Sequence, residues 1–234
     1  NATISRNSAG PSLIFPTYGS EFSFGIKATF PYSLVNNKDF TEPSDLTDSE
    51  KNSFFAEKYK WLEYYKLTFK GKWYTSFTDK LVLMTNAELG YLGFYNAELG
   101  LSPFERYFVG GDGIAQFQLD GRETVGLRGY ENNRLSSIDG GSIYNKFQLE
   151  LRYSITDAPS ASIYTLGFLE AGNSYDNFEG YNPFELKRSA GIGVRIFMPA
   201  FGLLGIDFAH GFDPLPGQTV KSGWQTHFII GRQF

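Results

Sequence analysis

Few residues of this chain suit bond-making chemistry. It has two histidines, His210 and His227, and no cysteine in 234 residues. A Ser-His-Asp hydrolase or a metal centre would have to be built on those two imidazoles. No nucleophile signature accompanies either one. His210 falls on the apolar parity of an alternating segment and His227 on the polar parity of another, so both read as structural. The lack of Cys excludes a disulfide scaffold, a Cys-ligated zinc module and a thiol enzyme. Gly110-Gly111-Asp112-Gly113 has the glycine content of a phosphate-cradling loop. It lacks the following Lys-Ser/Thr and a strand-loop-helix setting, and reads as a flexible loop. The acidic stretch Asp39 to Lys51, with Asp39, Glu42, Asp45, Asp48 and Glu50, reads as a solvated loop rather than a divalent-cation site. Arg128, judged on composition alone, is a loop arginine in water. No metal and no cofactor is expected.

Aromatic residues make up 18% of the chain, charged residues 20%, and there are 26 glycines. Ordinary soluble chains carry roughly 7% Gly and about 25% charge. The aromatic content excludes a disordered chain. The net charge of −4, with no basic block, argues against nucleic acid as a partner. No run approaches the ~18 consecutive apolar residues of a transmembrane helix. The start, Asn1-Ala2-Thr3-Ile4-Ser5-Arg6, has neither Met nor an apolar stretch. It is therefore not a signal peptide and reads as the interior of a longer protein.

What must position any site is a set of strands, because the dominant hydrophobic period is two. From Glu21 to Phe30, Phe22, Phe24, Ile26, Ala28 and Phe30 share one face and Glu21, Ser23, Lys27 and Thr29 the other. Tyr64–Tyr74, Ile143–Tyr153, Ser189–Ile196, Leu203–Gly211 and Trp224–Phe234 repeat the pattern. Leu81–Phe94 and Ser162–Gly172 alternate more weakly, and the stub before Arg6 adds one more. About nine strands result, each near or above the ~9–11 residues that cross a bilayer when tilted. Asp48 to Leu62 has some helical character within a polar insert.

The connections alternate in length. Short turns are predicted at Phe15–Gly19, Ser76–Asp79, Thr156–Ser160 and Met198–Gly202. Long connections are predicted at Tyr32–Lys58, Tyr95–Gly141, Asn173–Glu185 and Phe212–Ser222. That is the pattern of an outer-membrane barrel with periplasmic turns and surface loops. The soluble alternative, a β-sandwich or lipocalin-like barrel, shares the periodicity but points the apolar face inward. A polar face mixing Gly, Lys, Glu and Arg favours the membrane barrel. So do aromatics near strand ends, namely Phe30, Tyr32, Tyr64, Trp73, Tyr74, Tyr153, Trp224 and Phe234.

Glu105-Arg106-Tyr107-Phe108-Val109-Gly110-Gly111, followed by Leu127-Arg128-Gly129-Tyr130, resembles the sixth extracellular loop of the BamA family of outer-membrane protein assembly factors. That family's signature is Val-Arg-Gly-Phe; Leu replaces Val here and Tyr replaces Phe. An insert at Asp112 to Thr124 is longer than the family pattern. Ser189 to Val194, Pro199, Gly202-Leu203 and Asp207-Phe208-Ala209 resemble the family's penultimate hairpin. Phe228-Ile229-Ile230-Gly231-Arg232-Gln233-Phe234 resembles its closing strand, and Glu170-Ala171-Gly172 its acidic-x-Gly element. The resemblance is strongest over the last 130 residues or so, by motif order and spacing; upstream it is one of strand rhythm.

The resemblance implies an all-β transmembrane antiparallel barrel, of which residues 1–234 supply about the last nine of sixteen strands. The upstream strands and the POTRA domains would lie outside the chain. Residues 96–141 form the long extracellular loop that folds back into the barrel. There Arg128 meets an inner-wall acid, most naturally Glu170, with Asp207 and Glu150 as alternatives. Gly129 lets the backbone take a conformation closed to other residues. Trp224, Phe228, Ile230, Gly231 and Phe234 would form the closing strand at a lateral gate. The implied function is non-enzymatic: folding and inserting outer-membrane β-barrel proteins in a Gram-negative bacterium. The partners are unfolded barrel clients, accessory lipoproteins and outer-membrane lipid. The alternatives are a related translocation or secretion pore and, further off, a diffusion porin.

Overall fold

Alternating side chains build one antiparallel sheet, seen in a computed structural model that describes residues 1–36, 47–113, 122–158 and 161–231. Strand β1 (Ala2–Asn7) leads through the two-residue β2 (Gly10–Pro11) into β3 (Pro16–Ala28). A connection bearing α1 (Ser33–Asn36) and α2 (Asp48–Lys58) leads to β4 (Tyr65–Ser76) and β5 (Leu81–Gly93). A long connection carries β6 (Tyr107–Val109) and β7 (Glu123–Val125). It is followed by β8 (Ile143–Ala158), β9 (Ala161–Tyr175), β10 (Lys187–Met198), β11 (Gly202–Pro214) and β12 (Lys221–Ile230).

The main sheet has ten strands, nine of them in the path β1-β3-β4-β5-β8-β9-β10-β11-β12, with β2 paired to β3. β1 and β12 are its edges, and among the described residues they do not pair with each other. Strands joined by short turns are neighbours, as a hairpin meander requires. The informative pair is β5 with β8, in register from Leu81↔Tyr153 to Tyr91↔Ile143. The long connection between them leaves and returns at adjacent strand ends. It is thereby free to fold over one face of the sheet.

The two faces settle the orientation left open by periodicity. On β8, Phe147, Leu149, Leu151 and Tyr153 are exposed while Glu150 between them is 3% exposed. Phe24, Leu89, Leu169, Ile192, Phe208 and Phe228 are exposed on the same outer face. The covered face holds Lys66, Asn86, Glu170, Arg195, Asp207 and His227. A soluble sandwich hides its apolar face; here the apolar face is the bare one. A contiguous apolar surface of that extent marks contact with lipid or another apolar partner. No helix among the described residues is long and apolar enough to cross a membrane, which says nothing of strands.

Three expectations need correction. Pro16 to Gly19 is the start of β3, not a turn; the chain reverses at residues 12–15, between β2 and β3. Gly19 makes this fit, since a Cβ there would stand 2.1 Å from the Ser8 carbonyl oxygen. Tyr64 and Tyr74 do not belong to an outer aromatic girdle. They face inward, where their hydroxyls donate to Glu105 and Glu21 at 2.9 and 3.2 Å. Finally, β8, β9 and β11 run further than expected, to Ala158, Tyr175 and Pro214. The connections are shorter to match. Of the acidic stretch, Asp39, Glu42 and Asp45 lie outside the described residues. Its remainder opens α2 through a capping box between Thr47 and Glu50.

Candidate functional site

The connection between β5 and β8 is a packed plug on the inner face. Its glycines are not flexible linkers. Gly110, Gly111 and Gly113 hold φ of +128°, +75° and +74°, and Gly111 bridges to Leu127. A Cβ on Gly111 would stand 1.4 Å from the Asn132 side-chain oxygen. β6 and β7 pair in parallel, so the ends of the long insert are zipped together. Their Val109 and Val125 pack with Leu127 and Leu135 of the plug and with Leu92 and Tyr144 of the wall. At the plug's outer shoulder, Lys66 lies 4.3 Å from the centre of the Tyr107 ring and 2.6 Å from Glu123. Glu105 meets Lys27 and accepts from Tyr64.

That core delivers the signature to the wall. Leu127 and Tyr130 are fully buried and Arg128 is 6% exposed. The Arg128 Nε donates to Glu170 Oε1 at 2.9 Å and NH2 to the same oxygen at 2.7 Å. NH2 also reaches Glu150 Oε1 at 2.7 Å, and NH1 reaches Asp207 Oδ2 at 2.9 Å. The Arg128 backbone N–H donates to Glu170 Oε2 at 2.7 Å. Glu170, Glu150 and Asp207, read from the sequence as alternatives, all engage the guanidinium at once. Its planar fork suits this in a way an ammonium does not.

Two more arginines complete the cluster. Arg152 donates to Glu150 Oε2 at 2.8 Å, and Arg195 clamps Asp207 through both terminal nitrogens at 2.6 and 2.7 Å. Three arginines thus meet three carboxylates in a buried, neutral network. Neutrality matters, because each unpaired ion there carries several kcal/mol of desolvation. Burial alone pulls the Arg128 pKa down; the Glu170, Glu150 and Asp207 charges outweigh it and raise the net value, so the group stays charged. Gly193 and Gly205 make the room: a Cβ on Gly193 would stand 1.7 Å from Asp207 Oδ1, and one on Gly205 2.7 Å from Arg195 Cδ.

The rest of the signature touches the far strands. Tyr130 donates to the Arg188 carbonyl at 2.6 Å. The Gly129 N–H donates to His227 Nε2 at 2.9 Å, and its carbonyl accepts from Ser222 at 2.7 Å. Trp224, Phe228 and Ile230 point out of β12 and are exposed. Gly231 keeps its ladder bond to Leu203 at 2.9 Å. Phe234 lies outside the described residues. His210 faces outward between the Phe212 and Trp224 rings, each 5.2 Å away.

Arg152, Arg195, Phe168 and the Ser222–His227 pair escaped the sequence reading. Arg152 carried a usable signal, since it shares the inner parity of β8 with Glu150. Among the described residues no group of three or more His, Cys, Asp or Glu is arranged to hold a metal ion. The cluster is a fastening: it can hold a loop against a wall, and it contains no nucleophile.

An apolar-outside antiparallel sheet with a charged inner wall and an inserted loop defines a β-barrel protein of the outer-membrane type. The Omp85 superfamily domain matches residues 2–234, and the chain belongs to that superfamily. Its fold is similar to that of BamA from Haemophilus ducreyi, solved without POTRA domains 1–3, with a TM-score of 0.64 and 18% identity. The match covers 97% of this chain and 41% of that one, so the chain spans less than half the length of that relative. No curated protein sequence matches.

Proposed function

We propose that these residues are the C-terminal part of a BamA-like, sixteen-stranded outer-membrane barrel that folds and inserts other β-barrel proteins. No covalent bond is made or broken. The observation that carries the reading is the seating of Arg128, within a BamA-like loop signature, on Glu150, Glu170 and Asp207 of the inner wall.

The machine works by geometry. Upstream strands and POTRA domains complete the protein, and β12 closes the barrel against the first strand through a weak seam. Opening of the seam frees an edge that templates an incoming client strand by β-augmentation. β12 has ten residues among those described, and a short last strand permits a locally thinned bilayer that would ease insertion. Accessory lipoproteins and outer-membrane lipid complete the set of partners.

The test is client folding by the full-length protein in liposomes. A disulfide engineered between β12 and the first strand holds the seam shut, and no native cysteine of these 234 residues competes for it. An unfolded barrel client should insert faster with the protein than without it. Oxidation should abolish the gain and reduction restore it. Insertion at the normal rate while cross-linked would overturn the gate. A large, steady single-channel conductance with no gain in client folding would overturn the assembly function in favour of a pore.

A further inference from the structure

Gly129 is held on both sides of its backbone by a single strand. Its N–H donates to His227 Nε2 at 2.9 Å and its carbonyl accepts from the Ser222 hydroxyl at 2.7 Å. Both partners belong to β12, the edge strand. The approach is close because the facing residues are small. Gly129 has φ +87°, and a Cβ on it would stand 2.8 Å from Ser189 Cβ and 3.0 Å from the Gly211 nitrogen. A Cβ on Gly211 would stand 2.3 Å from the Gly129 carbonyl oxygen.

We infer that Ser222 and His227 are positioning residues that clasp the signature loop to the closing edge strand, and that the neutral imidazole of His227 is the clasp's titratable arm. Nε2 accepts only through its lone pair, so the imidazole proton sits on Nδ1. A second proton converts Nε2 into a donor aimed at another donor, the Gly129 N–H, and that arm lets go. The Ser222 arm does not titrate. The charged groups around His227 are its cross-strand partner Asp207 on β11, Glu170 on β9, and Asp112 and Arg128 of the plug. While the clasp is shut, β12 moves only together with the loop. Acid uncouples the two on one side. This inference rests on the geometry of the chain and not on client insertion.

Hydrogen exchange of the 126–131 amides tests it, using the full-length protein in lipid at about pH 7.5 and about pH 5, on either side of the histidine range. Rates are corrected for the intrinsic pH dependence of exchange. The Gly129 amide should exchange roughly tenfold faster at the lower pH, the scale of one net hydrogen bond. His227→Gln, which offers a neutral acceptor, should stay protected at both pH values. His227→Phe should exchange fast at both. Ser222→Ala should weaken protection but keep the acid dependence. A His227→Gln protein that loses protection in acid as the wild type does would overturn the inference. So would a folded His227→Phe protein with wild-type protection. If His227→Phe does not fold, the comparison of His227→Gln with wild type decides alone.

Discussion

The guanidinium carbon of Arg128 lies 3.5 Å from the centre of the Phe168 ring. The ring belongs to the same strand and the same face as Glu170, two residues on. β9 thus offers the arginine a flat π surface beneath and a carboxylate at the edge. An arginine over a desolvated aromatic face gains about 2 kcal/mol. Phe168→Leu keeps the apolar volume and removes that surface, and should destabilise the folded barrel by about that amount. The temperature at which the folded, fast-migrating gel form disappears measures it.

Arg128→Ala should cost more. It leaves Glu150, Glu170 and Asp207 facing only Arg152 and Arg195, an uncompensated buried negative charge. Removing one partner of such a network costs about 3–5 kcal/mol. Arg128→Lys should recover little, because one ammonium cannot bridge carboxylates on three strands. Chemical denaturation of the purified barrel ranks the three proteins. A lysine variant as stable as wild type would show that charge alone, and not the fork, holds the loop.

Glu105 gives a pH dependence at the plug's shoulder. Burial raises its pKa. Hydrogen bonds from Lys27 and Tyr64 and the charges of Lys66 and Lys27 outweigh it, and the net value falls below the ordinary 4.5. A group with a depressed folded pKa contributes stability that is full above its unfolded value and lost as pH falls through the folded one. Protection of the amides around Glu105 should therefore hold down to about pH 4.5 and decline below it. Glu105→Gln should remove that decline. An unchanged decline in the variant would assign it to another group.

Two glycines of the wall, one facing in and one facing out, should respond in opposite ways. Gly211→Ala drives a methyl against the Gly129 carbonyl and should destabilise by about 1–3 kcal/mol, the scale of overpacking. Gly167 faces outward on β9, and a Cβ added there would meet no atom within 4 Å. Gly167→Ala should be neutral or slightly stabilising. Thermal transitions of both variants make the comparison.

Sidedness is readable with one protease. Phe184 in the β9–β10 connection is 88% exposed and Phe201 in the β10–β11 turn is 72% exposed. They lie at opposite ends of the sheet. Chymotrypsin on intact cells should cut at Phe184 and spare Phe201 until the outer membrane is opened. The reverse order would invert the proposed topology.

The sequence carried the strands wherever one face met water or charge and the other did not. β8 alternates cleanly because Glu150 and Arg152 point into the network. β9 alternates weakly because its inner residues Tyr164, Leu166 and Phe168 are apolar too. They pack with Phe15 and support Arg128, so both faces of that strand look alike in one dimension. Glu150, Glu170 and Asp207 were legible as inward acids from parity. That one guanidinium takes all three was not, since no spacing encodes a contact among β8, β9, β11 and a loop. Ser222 and His227 were less legible still. Each is a lone polar residue on a polar face, meeting a glycine more than ninety positions away.

The long connection's place between β5 and β8 makes one loop a cross-brace for the wall that follows it. Arg128 precedes all its counter-ions, which follow 22, 42 and 79 residues later. They lie on three separate strands: Glu150 on β8, Glu170 on β9, Asp207 on β11. β10, between the last two, brings Arg195 to Asp207 instead. β12 adds Ser222 and His227 against Gly129. The spacing of the strands from β8 to β12 is thus gauged at a single point, as spokes meeting one hub fix a rim.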